Sequence, residues 1–330
     1  MKILLVTDTH GQLTILNDLA KQNSADAIIH AGDFGFFDNT SIERLSEREI
    51  RLHIVYSNLD QMEKKNILAQ PPATQKKFVR DELPLSDLPC FLSGEKQFEI
   101  PVYAVWGNHE DVDVVKKFHT GEYQIEGLHV LHEDNTFHLD NLHIFGLGGN
   151  FIMNKKLFQK SIAGSRGKIW SVFSQYLHLL ETIKNNALKN EKRILVSHVS
   201  SGKEPFITLM GIHTASDLIL SGHMDPPISM VWNEFTIRST EEAINRVQQR
   251  LFDIRQIYNS LNVGKNSQYE DAFSFLADLH CGNTSCNQKQ EPVWYRSILN
   301  LNLPDVPNGY ALIEINDDVW KIHSKCENFI

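Results

Sequence analysis

The chain has 330 residues, 42% of them hydrophobic and 22% charged, which excludes a disordered or collagen-like protein and fits a soluble globular one with a full hydrophobic core. A formal net charge of −9 excludes general, phosphate-driven binding to long nucleic acid. Four scattered cysteines, Cys90, Cys281, Cys286 and Cys326, exclude a disulfide framework.

The chain opens on Ile3 to Val6, an apolar run too short for a signal-peptide core that leads straight into Asp8. It reads as a first strand, and no later stretch approaches the ~20 apolar residues that span a bilayer. A cytoplasmic protein with no membrane partner is expected. An amphipathic stretch carrying Leu13, Ile15, Leu16 and Leu19 leads to a second buried run, Ala27 to Ile29. Strands alternating with helical stretches predict an α/β fold built on parallel crossover units. Residues 38–99, with a charged helical stretch and the break at Pro71-Pro72, read as an insertion near the site mouth.

Val102 to Trp106 returns to the core, and Leu128 to Leu131 and Leu142 to Leu147 read as strands of a second sheet. The latter runs into Gly146-Leu147-Gly148-Gly149, read as close backbone packing. Residues 168–188 read as an amphipathic helix, and Ile194 to Val196 and Leu218 to Leu220 as two more buried strands. Beyond them come short β-rich runs at Ile228 to Trp232 and Phe235 to Ile237, then a helical stretch from Glu241 to Leu261. Residues 241–303 are taken as a helical insertion following a core of residues 1–240, and residues 304–330 as a terminal hairpin, Tyr310 to Ile315 with Val319 to Ile322. His280-Cys281 and Cys286 have no second pair at finger spacing and are not read as a metal clip.

Five polar clusters punctuate this pattern: Asp8-Thr9-His10, Gly32-Asp33, Gly107-Asn108-His109-Glu110, His198, and Gly222-His223-Met224-Asp225. Most follow an apolar run, so their side chains should converge where buried strands end. Each alone is a weak signal; the ordered set is a strong one. The set resembles the calcineurin-like metallophosphoesterase superfamily, whose pattern runs D-x-H, G-D, G-N-H-[DE], H, G-H-x-H. The likeness covers the first 240 residues and departs at Asp225, where the family has histidine. It implies a four-layer sandwich of two mixed β-sheets flanked by helices.

Phosphate esters resist attack because anionic oxygens shield the phosphorus, and two divalent ions about 3.5–4 Å apart can neutralise that charge and generate hydroxide. Holding them so close needs a shared carboxylate, for which Asp33 is the candidate. The resemblance further implies that Asp8, His10, Asp33 and Asp225 hold one ion, and Asp33, Asn108, His198 and His223 the other. Mixed imidazole, carboxylate and amide donors suit Mn, Fe or Zn. A carboxylate at Asp225 can still ligate, but hardens the site toward Mn or Fe(II).

His109, by the same likeness, lies near the leaving-group oxygen, with Glu110 or another acidic partner raising its pKa. His30 is read as packed and His213 as a doubtful substrate contact; His53, His119, His129, His132, His138, His143 and His178 show no ligand spacing. Between Asp140 and Glu181 the chain has no acidic residue but carries Lys155, Lys156, Lys160, Arg166 and Lys168. This is either a solvated face or a basic loop beside an anionic-substrate site, with Lys155, Lys156 and Arg166 as candidate substrate contacts.

A second likeness, to lariat-RNA debranching enzymes, rests on Gly11-Gln12-Leu13, Gly32-Asp33-Phe34 and Ser93-Gly94-Glu95-Lys96. That branch has cysteine where this chain has Asp8. The expectation is a phosphodiesterase acting on a nucleotide or short RNA or DNA through a metal-bridging hydroxide, without an obligatory protein partner. The alternatives are a phosphomonoesterase or phosphoprotein phosphatase, and a binding or scaffold protein with a weakened site.

Overall fold

The computed structural model describes residues 1–223, 230–232, 239–261, 266–279, 297–316 and 319–326. In chain order the first elements are β1 (Lys2–Val6), α1 (Thr14–Asn23), β2 (Ala27–Ala31), α2 (Glu47–Tyr56), α3 (Gln61–Leu68), α4 (Pro72–Glu82), α5 (Leu88–Leu92), β3 (Val102–Val105), α6 (Val112–His119) and β4 (Leu128–Val130). Then come β5 (Phe137–Leu139), β6 (Leu142–Leu147), β7 (Asn150–Phe151), β8 (Ala163–Ser165), β9 (Lys168–Ser171), α7 (Phe173–Asn186), β10 (Lys192–Ser197), α8 (Pro205–His213) and β11 (Leu218–Ser221). The last are β12 (Met230–Trp232), α9 (Thr240–Asn259), α10 (Ser267–Leu279), β13 (Leu299–Asn302), β14 (Gly309–Asn316) and β15 (Val319–Cys326).

Two six-stranded mixed sheets form the centre, ordered β15-β14-β1-β2-β3-β4 and β12-β13-β11-β10-β6-β5, and a small third sheet runs β7-β9-β8. In the first, β1 to β4 are parallel and β14 is antiparallel to both β1 and β15. In the second, β6, β10, β11 and β13 are parallel, with antiparallel β5 and β12 at the edges.

Alternation along β1 explains the layering. Ile3 and Leu5 join Val105, Ile144, Val196 and Leu220 in a core between the sheets, while Leu4 and Val6 face α1, α5 and α6 on the outer side. The second sheet does the same, turning Phe145, Leu195 and Ile219 toward α7, α8, α9 and α10. Strands covered on both faces read as continuous apolar runs, and each fully buried aliphatic side chain contributes about 1.5–3 kcal/mol. The result is the four-layer α/β sandwich.

Four expectations change. Leu128–Val130 pairs with β3, so it belongs to the first sheet. The helix read over residues 168–188 starts only at Phe173, because Lys168–Ser171 pairs as a strand between β7 and β8. Residues 241–303 are not wholly helical, since Leu299–Asn302 lies parallel to β11. The histidines read as scattered gather around acids, His119 and His132 near Asp134, and His138 and His143 at Glu191.

Of the two β-rich runs, Met230–Trp232 pairs with β13, while residues 235–237 lie outside the described residues, as do Cys281 and Cys286. The glycines after β6 do pack closely: a Cβ on Gly146 would stand 2.3 Å from the Val196 carbonyl oxygen, and one on Gly148 2.1 Å from that of Trp106. No helix among the described residues is long and apolar enough to cross a membrane.

The excursion after β2 positions the site. Ser46 caps α2 by accepting from the Glu49 amide at 3.3 Å. Arg44, just before it, binds Asp111 through Nε at 2.8 Å and Nη2 at 2.5 Å, and Asp38 at 3.2 Å. This fork clamps the start of α2 to the segment following β3. A small core of Ile42, Ile50, Ile54, Val79 and Leu85 holds the excursion together.

Candidate metal centre

The five polar clusters all follow carboxyl ends of parallel strands, β1, β2 and β3 of one sheet and β10 and β11 of the other. Loop backbones pair directly: the Asp8 amide donates to the Gly32 carbonyl at 2.9 Å, His10 to Asp33 at 2.8 Å, and Gly222 to His198 at 3.1 Å. Asp8, His10, Asp33 and His223 adopt φ values of 53°, 47°, 48° and 58°. Non-glycine residues seldom occupy this left-handed region, and strain of this kind collects at functional sites.

Two motif glycines make the approach possible. A Cβ on Gly107 would lie 1.8 Å from Asp33 Oδ1, and one on Gly222 1.9 Å from Thr7 Oγ1. Any side chain there would displace a candidate ligand or its neighbour.

Potential donor atoms of Asp8, His10 and Asp33 lie within 4.8 Å of one another, and so do those of Asp33, His198 and His223. Asp33 is common to both groups, and each of its two oxygens approaches a different histidine. Its Oδ2 is 4.0 Å from His10 Nδ1, and its Oδ1 is 3.6 Å from His198 Nε2. His198 Nδ1 donates to the Ala31 carbonyl at 3.0 Å. Its Nε2 lies 2.8 Å from Asn108 Oδ1. These two potential ligand atoms converge beside the buried Asp33 carboxylate.

The electrostatics agree. Burial pushes the Asp8 carboxyl up to about 6, against the pull of His198, with the Asp33 and Asp305 charges adding to the rise. Burial also opposes the charge on Asp33, but His198 and His10 hold that carboxyl well below the ordinary range. Burial and His198 push the His223 imidazole down to about 4, keeping its lone pair free for coordination. His10 is half-buried, and desolvation opposes its charge, yet Asp305, Asp33 and Asp8 raise it to about 9. Buried carboxylates and imidazoles in this mixture fit one divalent ion beside Asp8, His10 and Asp33 and another beside Asp33, Asn108, His198 and His223. Asp225 lies outside the described residues.

His109 sits between the centre and α2. Its amide donates to Asp33 Oδ1 at 3.0 Å, and its Nδ1 pairs with Glu49 Oε2 at 2.6 Å. Burial disfavours the charged imidazole, but the Glu49 and Asp33 carboxylates raise its pKa above the usual histidine value. Glu110 is not the partner. It is fully buried and accepts from the amides of Gly35, Phe36 and Gly107, bracing the loop that carries Asp33.

Three neighbours escape sequence reading: Glu49, Asp305 and Tyr56. Asp305 Oδ2 stands 3.8 Å from His10 Nε2, on a segment tied to the first motif by the Val306 amide and Thr7 carbonyl. Tyr56 stacks on His10 with ring centroids 4.8 Å apart and planes 11° from parallel. All three lie far in sequence from the clusters they touch, so no local pattern announces them.

The basic candidates divide. The Arg166 carbonyl accepts from the Ser46 amide, and Lys168 Nζ is 3.9 Å from Glu49 Oε1, bringing the β8–β9 turn to the rim. Lys156 lies over Trp170 at 4.6 Å, beside exposed Lys155, and neither is placed among the candidate ligands. His30 is packed, bonded to Thr9 and the Gly32 amide, and His213 is partnered by Tyr176.

The family model for calcineurin-like phosphoesterases matches residues 1–247. The chain belongs to this family, whose members are metal-dependent phosphoesterases. No curated protein matches the sequence. Among solved structures, a dimetal phosphatase from Danio rerio aligns over 99% of this chain and 96% of its own, at 8% identity and a TM-score of 0.43. Another solved chain aligns over 98% of each, at 12% identity and a TM-score of 0.45.

Proposed function

We propose that this protein is a dinuclear metal-dependent phosphodiesterase acting on a nucleotide or short nucleic-acid diester. The observation that supports the dinuclear reading is Asp33, which presents one oxygen to each group of candidate ligands. Bound divalent ions of the Mn, Fe or Zn type supply charge for the phosphate oxygens and lower the pKa of a water. Asp8 and His10 with Asp33 would hold one, and Asn108, His198 and His223 with Asp33 would hold the other. His109 keeps its Nδ1–H on Glu49, leaving Nε2 to deliver a proton to a departing alkoxide.

The lining of the cleft supports the diester reading. No lysine or arginine is among the described residues lining the cavity at His10, Asp33 and His109. A diester carries one negative charge at neutral pH and a monoester nearly two, so the diester needs less compensation. The test compares bis(p-nitrophenyl) phosphate with p-nitrophenyl phosphate on Mn-loaded protein. Higher kcat/KM for the diester is expected. Preference for the monoester would reassign the substrate, and undiminished turnover after metal removal would overturn the reading.

A further inference from the structure

We propose that the cleft beside the candidate metal centre contains a subsite for a flat, uncharged aromatic group carried on the substrate phosphate, with Tyr56 as its principal contact. This deepens the phosphodiesterase reading and takes from it the placement of the phosphate at Asp33 and His109.

The cavity touching His10, Asp33 and His109 measures about 40 Å³, and its remaining wall includes Phe37, Leu45, Leu52 and Leu85. At His10, His53, Tyr56 and Leu85 it continues into a second cavity of about 200 Å³. That is larger than the ~150 Å³ apolar cavity that accepts benzene in an engineered protein. Tyr56 is 43% exposed although its ring is stacked on His10. An aromatic ring held in place beside a candidate reaction centre and partly exposed offers a stacking surface at little entropic cost.

The wall is held in place. His53 Nε2 reaches the carbonyls of Leu83 and Pro84 at 3.3 and 3.1 Å, bracing α2 against residues 83–87. Burial lowers the His53 pKa, and no lysine or arginine is among the described residues lining either cavity. Gln12 and Asn58 stand at the outer end, joined by a 2.8 Å bond between their amides. A group with an apolar face and polar edges, such as a nucleobase, matches that order from inside to outside. A phosphoserine or phosphothreonine side chain or a sugar offers no such face, and the phosphotyrosine ring offers the face without polar ring edges.

Binding of phenylphosphonate and methylphosphonate to Mn-loaded protein by calorimetry provides the test, because neither ligand can be hydrolysed and both carry the same charged head. Wild type should bind the phenyl compound roughly tenfold tighter. Tyr56→Ala should bring the two affinities nearly together, and Tyr56→Phe should restore the preference. Because metal loss weakens both ligands alike, elemental analysis and the affinity ratio separate a damaged centre from a missing ring. Equal affinities in wild type, or a preference untouched by Tyr56→Ala, would overturn the subsite. Turnover of bis(p-nitrophenyl) phosphate reports separately on hydrolysis: an active enzyme without the preference loses only the subsite, and an inactive one with it loses only the hydrolytic reading.

Discussion

His109 and Glu49 are joined by a 2.6 Å hydrogen bond between residues 60 positions apart, one in a motif loop and the other in the first turn of α2. The pair brings the excursion after β2 into the candidate site. His109→Ala should retain both metals and lose ~10²- to 10⁴-fold in turnover of an alkyl ester, the range for a general acid. Glu49→Gln should cost less, about tenfold, because the imidazole stays but is less well oriented. An aryl ester with a good leaving group should suffer less from either change. Equal losses for both esters, with metal content also reduced, would assign the pair to architecture.

Asp33→Ala should remove both metals, since Asp33 is the carboxylate shared by the two donor groups. Asn108→Ala should empty only the group containing His198 and His223. Metal stoichiometry by elemental analysis decides this. Two equivalents retained in Asp33→Ala would show that Asp33 is no bridge.

Asp305 should tune the centre from outside the residues matched by the family model. A carboxylate facing a ligating imidazole fixes its orientation, and removing such a partner weakens metal affinity by about 10- to 100-fold. Asp305→Ala should therefore lower affinity at the His10 side of the centre, measured by Mn titration. Unchanged affinity there would make the 3.8 Å approach incidental.

Gly107→Ala should be worse than its size suggests. The added methyl would stand 1.8 Å from Asp33 Oδ1, so Asp33 must move. Displacements near 1 Å cost about 10²-fold in rate. The prediction is at least that loss in a protein with wild-type far-UV circular dichroism; near-normal turnover would show that the loop adapts.

Acid should destabilise the fold through buried histidines remote from the centre. Burial pushes His213 down to about 3, and burial and His119 push His132 to about 4, from 6.5 when exposed. Below pH 6.5 the unfolded chain takes up protons that the folded chain refuses, so stability falls with pH until those lower values are reached. At pH 5 each site should contribute about 2 kcal/mol of the loss. The gap between urea midpoints at pH 7 and pH 5 should narrow in His213→Gln, His132 keeping its share; an unaltered gap would exclude His213.

The sequence alone determined the five clusters, the buried strands that deliver most of them and the family they define. These are local patterns: a strand covered on both faces must be apolar throughout, and a loop at its end can be read beside it. Tertiary structure decided the rest. Leu128–Val130 joined the first sheet because pairing with β3 was available, and Leu299–Asn302 became a strand by lying against β11. Glu110, adjacent to His109 in sequence, turned to backbone amides, while distant Glu49 took the imidazole. Sequence proximity cannot settle such a choice, because successive side chains in a turn point in different directions and the partner is whichever buried group the fold brings to the open nitrogen.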